Sequence, residues 1–377
     1  TLEDGSGTVL TCATARCGDG IVDTGERCDD HDSVNGDGCN PTCSLFGDVS
    51  IVQGQAGGPG DRDDIGTGAR LHVPVDMAVL GTKIYFTSEQ SRQVIREWDT
   101  VTDEVRTIAG VLGQAGDNVG PAEEALFSEP HGVAAIGNDL YIVDAGNHRV
   151  KKLDLTTLDV TNVAGSGVRG SDDGAAASAT FNSPEFIVAK SATELVVMDT
   201  QDNCNLRLID LTTSQVSTVN AGVQCFSFFP NSFGRIGGMT MADDGRLYLT
   251  ERDFQQIKRV SFDPFVLEVI AGGPNEPGSA DGNGVDARFN EPTDVAASGT
   301  TLFVSDRAND LIRQIDIASP DFVVSTVPVG GGINAPSAMA VLGQELFLDE
   351  AGGSAILEAD LSDDPIVAVE RLGRRAN

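Results

Sequence analysis

The sequence predicts an all-β fold formed by six copies of one four-stranded sheet, on the basis of three observations. First, residues 127–165 contain four short strand-like segments that are separated by turn residues. Second, the landmarks of this stretch recur along the chain. Third, one such sheet exposes an edge and half of a core, so it needs neighbours. A four-stranded unit that recurs every 44 to 56 residues is typical of a β-propeller rather than a solenoid.

Two landmarks define the repeat. A proline opens the first strand at Pro74, Pro130, Pro184, Pro292 and Pro336. The gap between Pro184 and Pro292 leaves room for one further copy whose first strand lacks this proline. The second strands end at Ser88, Asp144, Asp199, Glu251, Asp306 and Glu350. We expect blades at about 70–119, 120–179, 180–232, 233–287, 288–332 and 333–372. Because five of the six blades repeat the acid, we interpret it as a residue that fixes the turn of its own blade, not as part of a catalytic ring.

The charge balance limits the possible partners. The chain has 57 acidic and 25 basic residues, and its formal net charge is −32. Such a field repels nucleic acid and anionic membranes, and it favours cations and basic partners. No apolar run approaches the roughly 18 residues that a membrane span needs. We therefore expect neither nucleic-acid binding nor a membrane span. Thr1 predicts a processed or trimmed start, which would take targeting evidence away with it.

A second, smaller domain is predicted before the propeller, at residues 1–47, with the propeller at 48–377. Residues 17–43 have almost no apolar content, so covalent or metal links must hold them. Their acids are dense enough for Ca²⁺, which takes hard oxygen ligands. The candidate ligands are Asp19, Asp29, Asp30, Asn35 and Asp37. The alternative is that these side chains cap turns and face solvent.

Seven cysteines indicate disulfides and an oxidising compartment. Four of them can form two bridges in three ways, namely Cys17, Cys28, Cys39 and Cys43. Cys12 is then left for a partner elsewhere, for example in a second chain. The alternative is that Cys12 pairs inside the module and another cysteine is the spare one.

A further disulfide is predicted within the propeller, between Cys204 and Cys225. Cys204 begins a third strand and Cys225 lies just past the fourth, and antiparallel pairing brings those two ends together. Closing this 22-residue loop would contribute about 3 kcal/mol in the loop-entropy description. The alternative is two free buried thiols.

Residues 17–43 resemble a cysteine-rich repeat that is common in secreted proteins of myxobacteria and their relatives. The shared motifs are CGDG, GExCDD, GDGC and a last cysteine, and His31-Asp32 departs from the usual pattern. This resemblance implies an extracellular or cell-surface protein, and it implies no particular activity.

Residues 48–372 resemble NHL-repeat propellers, most clearly in PHGVA at 130–134 and LYIVDAGNHRVKKLD at 140–154. The resemblance implies six blades, with roles that run from protein and RNA binding to extracellular adhesion and a few enzymes. The segment at 48–53 is similar to the last strands of the blades, so we expect it near the last blade. Residues 365–372 compete for that place, and the order stays open.

Chemistry, if present, is expected where the first strands begin, at the mouth of the central channel. Asp76, His131, Glu185 and Asp294 follow the opening positions and could converge there. Three of them, Asp76, Glu185 and Asp294, could hold a divalent cation such as Ca²⁺. The alternative is that strand alternation turns some of them away and the channel holds only water.

The leading functional hypothesis is a secreted or surface-exposed, non-catalytic protein for binding, adhesion or assembly. Its partner would be a protein or glycan on a propeller face, with self-assembly through residues 1–47 as a sharper version. The alternative is a Ca²⁺-dependent hydrolase or lyase at the channel mouth, similar to gluconolactonases. The chain has only four histidines, so a three-histidine zinc site is not available, and we expect neither zinc nor an organic cofactor.

Overall fold

The computed structural model describes residues 60–72, 74–88, 92–200, 204–220, 232–327, 333–350 and 355–361, and it places short strands at 2–3, 9–10, 50–54 and 224–225. Two small strand pairs, Leu2–Glu3 with Val9–Leu10 and Gln224–Cys225 with Ser232–Phe233, form sheets of their own. The other strands form a six-bladed all-β propeller, as predicted. The first strands of successive blades contact one another in a closed ring around the central channel. The cysteine-rich segment at 17–43 and residues 362–377 lie outside the described residues, so the expectations for them stay predictions.

The first three blades each have four long antiparallel strands. Blade 1 consists of Pro74–Leu80, Lys83–Ser88, Ile95–Asp99 and Glu104–Ala109. Blade 2 consists of Pro130–Ile136, Asp139–Asp144, Arg149–Asp154 and Asp159–Ala164. Blade 3 consists of Pro184–Ser191, Glu194–Asp199, Asn205–Asp210 and Gln215–Thr218.

The last three blades follow the same order. Blade 4 consists of Ile236–Met241, Leu247–Glu251, Gln256–Phe262 and Phe265–Ala271. Blade 5 consists of Pro292–Ser298, Thr301–Asp306, Leu311–Asp316 and Val323–Val327. Blade 6 consists of Pro336–Leu342, Glu345–Glu350, Ala355–Asp360 and, from the other end of the chain, Ser50–Gly54.

Blade 6 closes the ring by joining strands from the two ends of the sequence. Ser50–Gly54 runs antiparallel to Ala355–Asp360, with Ser50 opposite Glu358 and Ile51 opposite Leu357. The N-terminal strand therefore occupies the outer position that the fourth strand takes in the other blades. This pairing covers an edge that would otherwise present unpaired backbone groups. The competing segment at 365–372 lies outside the described residues.

Connectors between blades add short outer strands to four of the sheets. These are Asp64–Ile65 in blade 1, Gly120–Pro121 in blade 2, Gly174–Ala175 in blade 3 and Gly282–Asn283 in blade 5. The hydrophobic core lies between neighbouring blades, where aliphatic side chains of facing sheets pack together. In the part of the chain that the structure describes, no helix is long and apolar enough to cross a membrane.

Candidate functional site: the central channel

A bulge shapes the entrance of the channel in every blade. The register of the first two strands shifts directly after the opening residue, for example between Pro74 and Met77 and between Pro292 and Asp294. The same shift occurs in the other four blades. A bulge bends the strand and re-aims side chains, so strand alternation does not predict where these residues point.

The channel contains a cavity of about 360 Å³. Its walls come from the first strands of all six blades, mostly through Ala, Val and Met side chains. Thr240 adds one hydroxyl. Of the described residues that line the cavity, only Asp76 and Asp294 have ionisable side chains. The cavity therefore combines apolar walls with two carboxyl groups.

Each of these carboxyl groups joins two neighbouring blades. Asp76 of blade 1 accepts hydrogen bonds from the backbone N–H of Met77 at 2.9 Å and of Val133 in blade 2 at 2.8 Å. Asp294 of blade 5 accepts in the same way from Val295 at 2.8 Å and from Met339 in blade 6 at 2.7 Å. The two sites are pseudo-symmetric copies of one arrangement.

Hydroxyl groups support the same two blade interfaces. Thr87 of blade 1 donates its hydroxyl to the backbone carbonyl of His131 in blade 2 at 2.5 Å. Ser305 of blade 5 donates to the carbonyl of Ser337 in blade 6 at 2.8 Å. The polar groups at the channel entrance thus fix blades 1 and 2, and blades 5 and 6, to each other.

Burial changes the acidity of both channel carboxyls. Desolvation raises the pKa of Asp76 to about 7, although its two backbone hydrogen bonds act in the opposite direction. The pKa of Asp294 also lies well above its ordinary value, first because of burial and second because of the nearby charge of Asp76. At neutral pH the pair therefore carries fewer than two negative charges.

The other two predicted residues form a separate pair. Burial lowers the pKa of His131, while the charge of Glu185 in the next blade and a hydrogen bond to its backbone oppose that shift. The His131 ring packs edge-on against Phe186, with 5.2 Å between ring centroids. Neither His131 nor Glu185 is among the residues that line the cavity. Among the described residues, no three His, Cys, Asp or Glu side chains group closely enough to hold a metal ion.

Two glycines show why blades 2 and 4 carry no acid at this level. A Cβ atom on Gly132 would lie 2.7 Å from the carbonyl oxygen of Glu185 in the next blade. A Cβ atom on Gly238 would lie 2.1 Å from a carboxylate oxygen of Asp294. The backbone of the next blade leaves no room for a side chain at Gly132, and Asp294 itself leaves none at Gly238.

The acids at the ends of the second strands have the structural role that their repetition predicts. Asp144 forms an ion pair of 2.7 Å with Lys151, and both side chains are fully buried. Asp144 also accepts a hydrogen bond of 2.6 Å from the N–H of Ser128, just before the first strand. Burial raises the pKa of Asp144, and the charge of Lys151 opposes this. The corresponding pairs are Asp199–Arg207 at 3.5 Å, Glu251–Lys258 at 2.8 Å and Asp306–Arg313 at 3.0 Å.

The sequence reasoning missed the buried cations of these pairs. Lys151, Arg207 and Arg313 each stack on a phenylalanine of the connector, at 5.1 to 5.2 Å from the ring centroid. Each also binds a second acid from the connector, namely Asp117, Asp173 or Asp281. A signal was present, because a basic residue stands seven or eight positions after the acid in four blades.

A second cavity, of about 420 Å³, lies between blades 1 and 2. Its carboxyl group is that of Glu97, which accepts hydrogen bonds from Lys83 and Arg106, both at 2.8 Å. These two cations and hydrogen bonds lower the pKa of Glu97 against the effect of burial. This cavity is slightly larger than the channel cavity, but its buried carboxylate is already compensated by protein cations.

Cys204 is buried and disulfide-bonded. The side chain of Cys225 is not among those described, so the predicted pairing of these two cysteines stays a prediction. The five cysteines of the N-terminal segment also lie outside the described residues.

Comparisons with known proteins agree with this fold. A family model of the NHL repeat matches residues 127–153, which lie in blade 2. The chain is 28% identical over 291 residues to protein SUPPRESSOR OF QUENCHING 1, chloroplastic, of Arabidopsis thaliana, and 25% identical over 279 residues to NHL repeat-containing protein 2 of Bos taurus. These matches cover 71% and 64% of this chain but only 27% and 38% of the relatives. This chain therefore contains an NHL repeat and corresponds to a part of longer relatives.

Solved structures support the propeller at the level of fold. The crystal structure of an auxiliary nutrient binding protein from Bacteroides ovatus matches with a TM-score of 0.62 and 12% sequence identity. The match covers 83% of this chain and 76% of that protein. At this identity the likeness concerns the fold alone.

Proposed function

We propose that this chain is a non-catalytic binding protein, whose propeller is a rigid scaffold that holds a protein or glycan partner on one face. The observation that supports this proposal is the use of polar side chains at the channel entrance. Asp76 and Asp294 each accept N–H groups from two blades, and Thr87 and Ser305 add bonds across the same interfaces. Groups that hold blades together favour a preorganised surface over a reaction centre.

Rigidity matters for binding because a surface that is already ordered loses little conformational entropy when a partner arrives. The buried ion pairs of the blades add to this order, since each joins two strands and a connector. The net charge of −32 favours a partner that carries positive charge or binds together with cations. The nutrient binding protein from Bacteroides ovatus has a similar fold, which is consistent with a binding role for this architecture.

We further propose that the protein is secreted or lies at the cell surface, with residues 1–47 as a disulfide-linked module that binds Ca²⁺. The support comes from the sequence, through its cysteine density and the acids Asp19, Asp29 and Asp37. A spare Cys12 would let the module link one chain to another. Light scattering of the full chain tests this, because Cys12→Ser should convert an oxidised oligomer to a monomer, and a wild-type monomer under oxidising, Ca²⁺-replete conditions would refute self-assembly.

Binding and catalysis can be separated in one set of assays. The full chain is applied to a glycan array in Ca²⁺ and in EDTA, and in parallel it is incubated with a panel of aldonolactones. The binding proposal expects retention on a defined set of glycans and no turnover. Turnover of a lactone that is lost in Asp294→Asn would refute it.

One observation favours the alternative, a hydrolase or lyase at the channel mouth. A carboxyl group with a pKa of about 7, such as Asp76, is suited to general acid–base catalysis at neutral pH. That enzyme should lose activity in Asp76→Asn, Glu185→Gln and Asp294→Asn, while a scaffold should keep its fold and its partner in at least the Glu185→Gln variant.

A further inference from the structure

We infer that the channel cavity binds a small organic cation with an apolar body, such as a protonated alkylamine. This goes beyond a partner held on a propeller face, because it assigns a ligand to the interior of the ring. The cavity volume of about 360 Å³ lies in the range of small-molecule sites in proteins.

The argument begins with a contrast between two kinds of buried acid. Asp144 and Asp306 each lie within 3.0 Å of a buried cationic side chain, Lys151 or Arg313. Asp76 and Asp294 have no such neighbour among the residues that line the cavity, and their hydrogen bonds come from backbone N–H groups. The channel therefore holds two desolvated carboxyl groups, and the described residues that line the cavity supply no compensating cation.

The carboxyl groups have room for another donor. Each oxygen of Asp76 accepts one backbone N–H, and the same holds for Asp294. A carboxylate offers about four acceptor sites, so roughly half of them stay available. An ammonium group has three N–H donors and a positive charge. It therefore supplies the further hydrogen-bond donors and the compensating cation that Asp76 and Asp294 lack among the described residues of the cavity wall.

The walls select the class of cation. They consist of Ala, Val, Met and Ile side chains, with one hydroxyl from Thr240. A Ca²⁺ ion requires six to eight oxygen ligands, which two carboxyls and one hydroxyl do not supply. An alkyl chain, in contrast, gains by leaving water for such walls. The combination fits an amine with an aliphatic body better than a bare metal ion.

Protonation is coupled to this binding. A cation beside the pair favours the ionised carboxylates, so its arrival displaces protons that the empty pair holds at neutral pH. The affinity should therefore fall as the pH drops below about 7, where Asp76 becomes protonated. Asp76 and Asp294 are the only ionisable groups among the described lining residues, so they carry this dependence.

The test is calorimetric titration of the full chain with n-hexylammonium, with 1-hexanol as a neutral probe of the same shape. We expect hexylammonium to bind at least about tenfold more tightly than hexanol, and the double variant Asp76→Asn, Asp294→Asn to lose that preference. The matched control is Asp154→Asn, which alters an exposed turn acid and should leave the affinity unchanged. Titration in two buffers of different ionisation enthalpy should report proton release on binding.

A second variant covers the case in which the double variant does not fold. Ala297→Leu keeps both carboxyls and fills part of the cavity, and it should also weaken hexylammonium binding. Three results would overturn the inference: no hexylammonium binding by folded wild-type protein, equal binding of hexanol, or a channel that binds Ca²⁺ through Asp76 and Asp294 but not hexylammonium. Glycan-array retention is read on the same samples, so that failure of the channel site and failure of the face-binding function are distinguished.

Discussion

Aspartate side chains are buried in two different ways, one at the ends of the second strands and the other in the channel wall. At the strand ends, Asp144 and Asp306 each contact a buried cation. In the channel, Asp76 and Asp294 receive backbone N–H groups only, and they lie beside a cavity. A buried charge that is paired inside the protein serves the fold, whereas one that is left without a cation beside open space is available to a ligand.

The largest expected effect follows from breaking a strand-end pair. Lys151→Met leaves the carboxylate of Asp144 buried without its cation, and it should lower the free energy of unfolding by about 3–5 kcal/mol. Urea denaturation at pH 7 measures this. The matched control is Lys152→Met, whose amine contacts Asp139 at 3.2 Å on the surface and should contribute less than about 1 kcal/mol. Equal losses in the two variants would remove the distinction.

The channel acid Asp76 should give a pH dependence of stability opposite in sign to that of Glu97, whose pKa is lowered by its bonds to Lys83 and Arg106. The pKa of Asp76 is about 7 in the folded state and near 4 in the unfolded state, so the folded protein holds more protons between these values. The contribution of this group to stability is therefore present at low pH and declines as the pH rises from about 4 to 7, by a few kcal/mol.

Asp76→Asn should remove that decline. The measurement is the free energy of unfolding from pH 4.5 to 8, compared between wild type and variant so that the background from the other acids cancels. Exposed Asp154→Asn is the control and should not alter the slope in this window. A slope that is identical in wild type and Asp76→Asn would contradict the assignment of a raised pKa to this carboxyl.

A smaller effect is expected from filling the space beside Asp294. In Gly238→Ala the new methyl group would meet the Asp294 oxygen that accepts from Val295 and displace the carboxylate. We therefore expect the free energy of unfolding to fall by about 1–3 kcal/mol. Gly282→Ala is the matched control, because its Cβ would meet its neighbours at an ordinary 3.5 Å. Thermal and urea unfolding of both variants test the difference. If Gly238→Ala is as stable as the control, the close approach of blades 4 and 5 is not a constraint.

The smallest effect belongs to an acid at the surface between blades. Glu291 is 47% exposed and contacts Arg252 at 3.1 Å and Arg307 at 3.3 Å. Because solvent screens this pair of contacts, Glu291→Gln should cost less than about 1 kcal/mol, and the cost should shrink further at high salt. Urea denaturation at low and high salt measures this cost. A decrease in the free energy of unfolding as large as that of Lys151→Met would contradict the contrast between buried and exposed acids.

Much of the fold could be predicted because short segments of the sequence define each blade. The opening prolines, the alternating strands and the acid at the end of the second strand repeat in sequence, so the six blades follow from counting. The structural role of Asp144 and its equivalents could also be predicted, because an acid that recurs in nearly every blade stabilises the turn of its own blade. Their cations could have been found from the regular spacing to Lys151 or Arg313.

The channel site was predicted only in part. Asp76 and Asp294 were expected at the channel and do line its cavity, but His131 and Glu185 form a pair outside that lining. The bulge is present in every blade, so it does not separate the two pairs. They differ in position, because Asp76 and Asp294 stand two residues after the opening proline, whereas His131 and Glu185 stand one residue after it.

Sequence alone established the number of blades and the residues that begin and end their strands, since these depend on local patterning and turn chemistry. Tertiary structure alone decided which carboxyls meet in the channel, which acids receive a cation and how Ser50–Gly54 completes blade 6. Those outcomes depend on contacts between segments that are far apart in the chain, and the free energy of burying a charge is set by what surrounds it.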